Sequence, residues 1–194
     1  MVGPRGGDCA RYNARMIPPP NNDPRFPTGK FTFNPDVTAA SRRQCIDAIR
    51  ETPAALRAAV QGLSEAQLNT PYRDGGWTVR QVVHHLPESH MNAFTRFKLA
   101  LTETNPTIKP YDEDAWAKLE DVARTPVGTS VVLLEALHER WVTLLEVMGP
   151  ADFERPLTHP DNGPMTLDRM LQLYAWHGRH HVAHVTALRA RQGW

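Results

Sequence analysis

The chain has 194 residues and a mass of 21.8 kDa, with 41% hydrophobic and 22% charged residues, the balance of one globular domain with a sizeable core. Lys+Arg 22 against Asp+Glu 21 leaves a formal charge of +1, so no global field draws in nucleic acid or anionic lipid. The longest apolar run, Val131-Val132-Leu133-Leu134, is too short for a membrane span, and Cys9 and Cys45 make neither a disulfide framework nor a cysteine metal site. With no apolar leader at the N-terminus, the sequence predicts a cytoplasmic protein.

Residues 1–24 read as a disordered extension, since Gly3, Gly6, Gly7 and Pro18-Pro19-Pro20 break any period and offer little to bury. Residues 25–194 read as one domain. Apolar spacing at Cys45, Ile46, Ile49, Leu56 and Val60 predicts a helix over 39–62, with a break or kink near Thr52 because Pro53 lacks a backbone donor. Ser64 caps a short turn. Thr78 and Gln81 form a capping box that opens a helix over 79–102. Asp112 caps a short helix through Leu119. Thr125-Pro126 is a helix start with proline at the first helical position, and that helix is closed by Gly149-Pro150. Residues 151–165 read as loop. Thr166 caps a last helix over 167–192. No stretch alternates with period two for long enough to make a sheet, so the fold class is all-α, a four-helix bundle with long crossover loops and short extra helices.

Four histidines, His177, His180, His181 and His184, share one face of the last helix. An i, i+4 pair brings two imidazoles within reach of one ion. The stripe of Leu171, Tyr174, Val185 and Leu188 turns His177 and His181 inward and leaves His180 toward the rim or a partner. A third ligand comes from His84, His85, His90 or His138. Periodicity places His90 inside the apolar stripe of the 79–102 helix and ranks it slightly above His85. His85 lies on a polar stripe with Thr78, Ser89, Asn92 and Arg96. His138 has the setting of a buried structural histidine. The tryptophans read as core or subunit contacts, and Tyr111-Asp112-Glu113-Asp114 as a solvated helix start. There is no nucleophile elbow, phosphate loop or dinucleotide fingerprint.

At these residues the chain closely resembles the YfiT branch of the DinB-like metalloprotein superfamily. The matching stretches run from Phe26 to Phe31, from Thr70 to Leu86, from Ser89 to Asn92, from Arg96 to Lys98, from Pro110 to Asp112, from Leu137 to Trp141 and from Leu173 to His184, ending at Gly193-Trp194, so the likeness covers about residues 25–194. The resemblance implies a four-helix bundle with one divalent ion, zinc or nickel, held by His85, His177 and His181. It favours His85 over His90, and puts Ser89, Asn92 and Arg96 along the pocket, with Asn92 and Arg96 as substrate-binding residues. Pro87 stands where the family has a small helix former, so a kink after His85 is expected. The activity implied is metal-dependent hydrolysis of a small molecule by activated water, with Glu88, His90 and His138 as candidate bases. The alternatives are transfer of a low-molecular-weight thiol such as bacillithiol, with Arg73, Arg96 or Arg179 on its carboxylates, and metal binding without catalysis. The family resemblance also implies a homodimer.

Overall fold

A computed structural model describes residues 23–194, so the expectation for the N-terminal extension lies, but for its last two residues, outside the described residues. Four long helices carry the fold: α1 (Ala39–Val60), α3 (Val79–Thr102), α6 (Val127–Val147) and α8 (Leu167–Gln192). Short helices lie between them: α2 (Glu65–Leu68), α4 (Glu113–Trp116), α5 (Glu120–Arg124) and α7 (Pro150–Phe153). No helix among the described residues is long and apolar enough to cross a membrane.

The starts of these helices follow local chemistry. Thr78 Oγ1 accepts from Gln81 N at 3.2 Å while Gln81 Oε1 accepts from Thr78 N at 2.9 Å, satisfying two donors that the first turn leaves free. Thr166 caps α8 by accepting from Arg169 N at 3.3 Å, and Gly193, at φ +69°, closes it in a left-handed turn. Pro126 serves as the cap of α6, one residue later than the sequence predicts.

Helix α1 packs on α8 and α6, and α3 packs on α6 and α8. The buried apolar residues form two clusters. One holds Ile46, Ile49, Phe97, Trp141, Leu145 and Leu171; the other holds Leu56, Val79, Val83, Leu86, Leu134 and Val185. Helices α1 and α8 enter at the first cluster and leave at the second, whereas α3 and α6 run the other way. Consecutive helices α3 and α6 are therefore parallel, and residues 103–126 must return along the bundle, the predicted long crossover. Where the two clusters meet, each helix carries polar or irregular residues: Pro53 on α1, His85 and His90 on α3, His138 on α6, and His177 and His181 on α8. The histidines thus form a belt across the middle of the core.

Two expectations are corrected here, the break in α1 and the loop over 151–165. Helix α1 is not broken at Pro53; it runs unbroken over 22 residues. Helix α3 likewise runs unbroken through Pro87, where Val82, Val83, Leu86 and Pro87 are all buried, so packing outweighs one missing helical bond. Residues 151–165 are not all loop. Strands β1 (Pro156–His159) and β2 (Gly163–Thr166) pair antiparallel, with Leu157 opposite Met165. Each strand has four residues and one proline, too little for alternation to appear in the sequence. The ribbon buries Leu157 and Met165 against the first cluster and brings His159 to the mouth of the site.

Candidate metal centre and its cavity

Helix α3 supplies His85 and helix α8 supplies His177 and His181 one turn apart. Their ligand atoms all lie within 4.8 Å of one another. His177 Nε2 is 3.3 Å from His85 Nε2 and 3.1 Å from His181 Nε2. Nitrogens bound tetrahedrally at about 2.0–2.1 Å from an ion stand about 3.3 Å apart, so the spacing fits a divalent metal. Electrostatics agrees. Burial pushes His85 down to about 4, and burial and then the neighbouring imidazoles push His177 and His181 well below the ordinary histidine value. The rings are therefore neutral near pH 7, the form that ligates metal. The Nδ1 atoms of His85 and His181 are buried without a hydrogen-bond partner among the described residues.

Trp77 fixes the outer side of this cluster. Its ring meets His85 edge-on at 4.7 Å between centroids, and its Nε1 donates to Asp114 Oδ1 at 2.8 Å. Asp114 is thus tied to the site, and Trp77, packed against the second core cluster, also borders the cavity. Trp141 is fully buried in the core.

A cavity of about 390 Å³ opens on the three imidazoles. Its wall carries Ser89, Arg96, Tyr111, Glu113 and Tyr174, and His159, Asp161 and Asn162 come from the β-ribbon. Arg96 is 8% exposed and donates to Tyr174 Oη at 3.4 Å and to the Lys109 carbonyl at 3.2 Å. Among the described residues it forms no ion pair with a carboxylate. Burial raises the Tyr111 and Tyr174 phenols above their ordinary range, so both remain protonated donors.

The structure brings His85, His177, His181, Ser89 and Arg96 together. It does not bring Asn92 to the cavity; the Asn92 amide donates to the Glu88 carbonyl one turn back, at 2.9 Å. Glu88, His90 and His138 do not border the cavity either, and neither do Arg73 and Arg179. The run from Tyr111 to Asp114 is not simply solvated, since Tyr111 and Glu113 line the cavity. His180 does not point to an open rim. It is 7% exposed, stacked on Trp176 and close to Phe26 of the N-terminal segment. Sequence reasoning missed Glu113, His159 and Asp161 as wall residues, because the long return loop and the ribbon fold over the site from distant stretches.

A family model described as the DinB superfamily matches residues 48–185. The chain belongs to the DinB superfamily. It is 53% identical over 173 residues to a Bacillus cereus (strain AH820) protein named "Putative metal-dependent hydrolase", covering 89% of this chain and 99% of that one. A Bacillus mycoides (strain KBAB4) protein with the same designation is 52% identical over 172 residues, with 89% of this chain and 99% of that one covered. Among solved structures, YfiT from Bacillus subtilis superposes with a TM-score of 0.86 at 46% identity, covering 88% of this chain and 98% of that chain. It is described as a probable metal-dependent hydrolase with an unusual four-helix bundle topology. The parallel α3–α6 pair is what sets the present bundle apart from an up-down one.

Proposed function

We propose that this chain is a metal-dependent hydrolase of a small anionic substrate, with one divalent ion held by His85, His177 and His181. The observation that carries the reading is the convergence of three neutral imidazole Nε2 atoms at metal-ligand spacing on one wall of a cavity. Three protein ligands leave a coordination position open, as catalytic sites do. An all-imidazole shell suits zinc or nickel without choosing between them. The ion supplies Lewis acidity that lowers the pKa of water toward about 7.

The remaining work falls to the chain's own side chains. Arg96, buried with no counter-ion among the described residues, binds a carboxylate or a developing oxyanion of the substrate. Tyr111, Tyr174 and Ser89 orient it as donors. Glu113, Asp161 and His159 are the wall groups able to accept a proton. Trp77 shields the His85 side from solvent.

Arg96 also suits a second reading, transfer of a thiol that carries carboxylates, in which the same cation anchors the thiol's acidic end. The test begins with elemental analysis of the purified protein beside His85→Ala, His177→Ala and His181→Ala. About one equivalent of metal in wild type, lost in each variant, supports the three-ligand site. Ester and amide hydrolysis is then assayed against thiol conjugation to an electrophile. A wild type that takes up neither zinc nor nickel overturns both readings.

A further inference from the structure

His90 and His138 are buried side by side behind the metal cluster, and neither has a part in the chemistry above. His90 is fully buried and His138 is 2% exposed. They join the cluster to the backbone of the opposite helix. His177 Nδ1 lies 3.1 Å from His90 Nε2, His90 Nδ1 lies 2.8 Å from His138 Nε2, and His138 Nδ1 lies 2.6 Å from the Ile49 carbonyl oxygen.

The direction of every bond in this row follows from its last member. A carbonyl oxygen only accepts, so the proton of His138 is on Nδ1. A neutral imidazole has one N–H, so His138 Nε2 accepts and His90 Nδ1 donates. The same step leaves His90 Nε2 as acceptor and puts the proton of His177 on Nδ1. What is left on His177 is the Nε2 lone pair, on the atom that faces His85 and His181. Among the described residues no carboxylate hydrogen-bonds to these rings.

The sequence also explains why the Ile49 carbonyl is free. Its helical donor would be the N–H of the residue four positions on, and that residue is Pro53. The proline inside α1 therefore exposes an acceptor at the level of the histidine belt. Among the three cluster histidines only His177 has such support, since Nδ1 of both His85 and His181 is without a partner among the described residues.

We infer that Pro53, the Ile49 carbonyl, His138 and His90 form a tautomer relay across all four helices that holds His177 with its Nε2 lone pair facing the metal. His90 and His138 are positioning residues. The role toward metal rests on the three-histidine reading above; the ring tautomers do not. Supporting groups of this kind typically contribute 10- to 100-fold in metal affinity.

The full-length protein, labelled with ¹⁵N-histidine and free of metal, is examined by long-range ¹H–¹⁵N correlation at pH 7.5. The expected spectrum has His138, His90 and His177 all protonated at Nδ1. An Nε2–H form at any of the three overturns the relay, and this reading needs no variant and no metal. Zinc affinity is then measured by chelator competition for wild type and His138→Phe, which keeps a ring in place but removes both nitrogens. The expected result is a Kd raised about 10- to 100-fold in a variant that circular dichroism finds folded, with the His177 ring no longer held in one tautomer. An unchanged Kd in the folded variant overturns the positioning role, because a merely space-filling histidine would give that result. If His138→Phe does not fold, the wild-type tautomers decide. If wild type binds no zinc, the metal reading falls, and the tautomers still decide whether the row of bonds exists.

Discussion

Gly178 lies flat against Thr52. A Cβ built at position 178 would fall 2.5 Å from Thr52 Oγ1 and 2.8 Å from its Cγ2, closer than such atoms approach. Thr52 cannot turn aside easily: it is β-branched, 3% exposed, and its hydroxyl donates to the Ala48 carbonyl at 2.8 Å. The missing side chain lets α8 sit close to α1 in the turn that carries His177 and His181. Gly178→Ala is expected to push the helices apart, costing about 1–3 kcal/mol by overpacking. Because the displacement falls beside two ligands, zinc affinity drops as well. Urea unfolding and chelator competition measure the two effects. Unchanged values of both would mean that the close approach has no bearing on the site.

A second position is fixed by charge. Arg42 on α1 grips Asp168 in the first turn of α8 through both carboxylate oxygens, Nε to Oδ1 at 2.8 Å and Nη2 to Oδ2 at 2.7 Å. The pair is mostly buried, and the guanidinium also rests on the Phe153 ring at 5.1 Å. Asp168→Ala leaves that cation without its partner and removes an acid from a helix N-terminus, where it is favourable. The expected loss is about 3 kcal/mol. Replacing both residues, Arg42→Met with Asp168→Leu, is expected to recover much of it. A double variant no more stable than Asp168→Ala would contradict this account.

Arg96 offers the opposite trade. It is a buried cation with a phenol and a carbonyl for partners and, among the described residues, no carboxylate. Holding it there opposes folding, as preformed binding sites commonly do. Arg96→Met is expected to stabilise the protein by about 1 kcal/mol while weakening binding of carboxylate-bearing ligands. Thermal unfolding with and without a panel of small carboxylates tests this. A less stable variant whose carboxylate binding is intact would remove Arg96 from the proposed substrate site.

These positions also mark the limits of what the sequence discloses. Caps are local, so Thr78–Gln81 and Thr166 can be read directly, and so can the inward turn of the His177–His181 pair. The choice between His85 and His90 is a different matter. Both are buried, and periodicity detects burial and not distance to a ring on another helix. The family motif made that choice where the helical wheel could not. Pro53 and Pro87 signal a break or kink by local rules, yet each helix continues through its proline and packs along its length against two others, and at Pro53 the freed carbonyl finds His138. His180 appears exposed on a wheel because the wheel contains only its own helix. Phe26, which covers it, is 154 positions away in the chain. The cavity wall is illegible for the same reason, since Glu113 and Asp161 come from loops whose course depends on the finished bundle.

The histidine belt makes stability depend on pH in a definable window. Burial pushes His85 and His138 down to about 4, from an ordinary value near 6.5. The unfolded chain therefore takes up protons as pH falls through about 6.5, whereas the folded chain resists until near 4. Stability is complete above the unfolded value and is lost as pH falls across the window. Each ring contributes a slope of about 1.4 kcal/mol per pH unit at most, so these two alone cost about 3 kcal/mol between pH 6.5 and 5. His90, His177 and His181, lowered further by burial and by one another, extend the loss in the same direction. Bound zinc withdraws its ligands from protonation, so the stabilisation it adds should be large at pH 7.5 and shrink toward pH 5 as protons compete. Urea unfolding of metal-free and zinc-loaded protein at pH 7.5, 6.5, 5.5 and 5 reads both effects. A metal-free stability that stays flat from pH 7.5 to 5 would mean that the rings are open to water in solution. The depressed basicity of the belt would then be wrong.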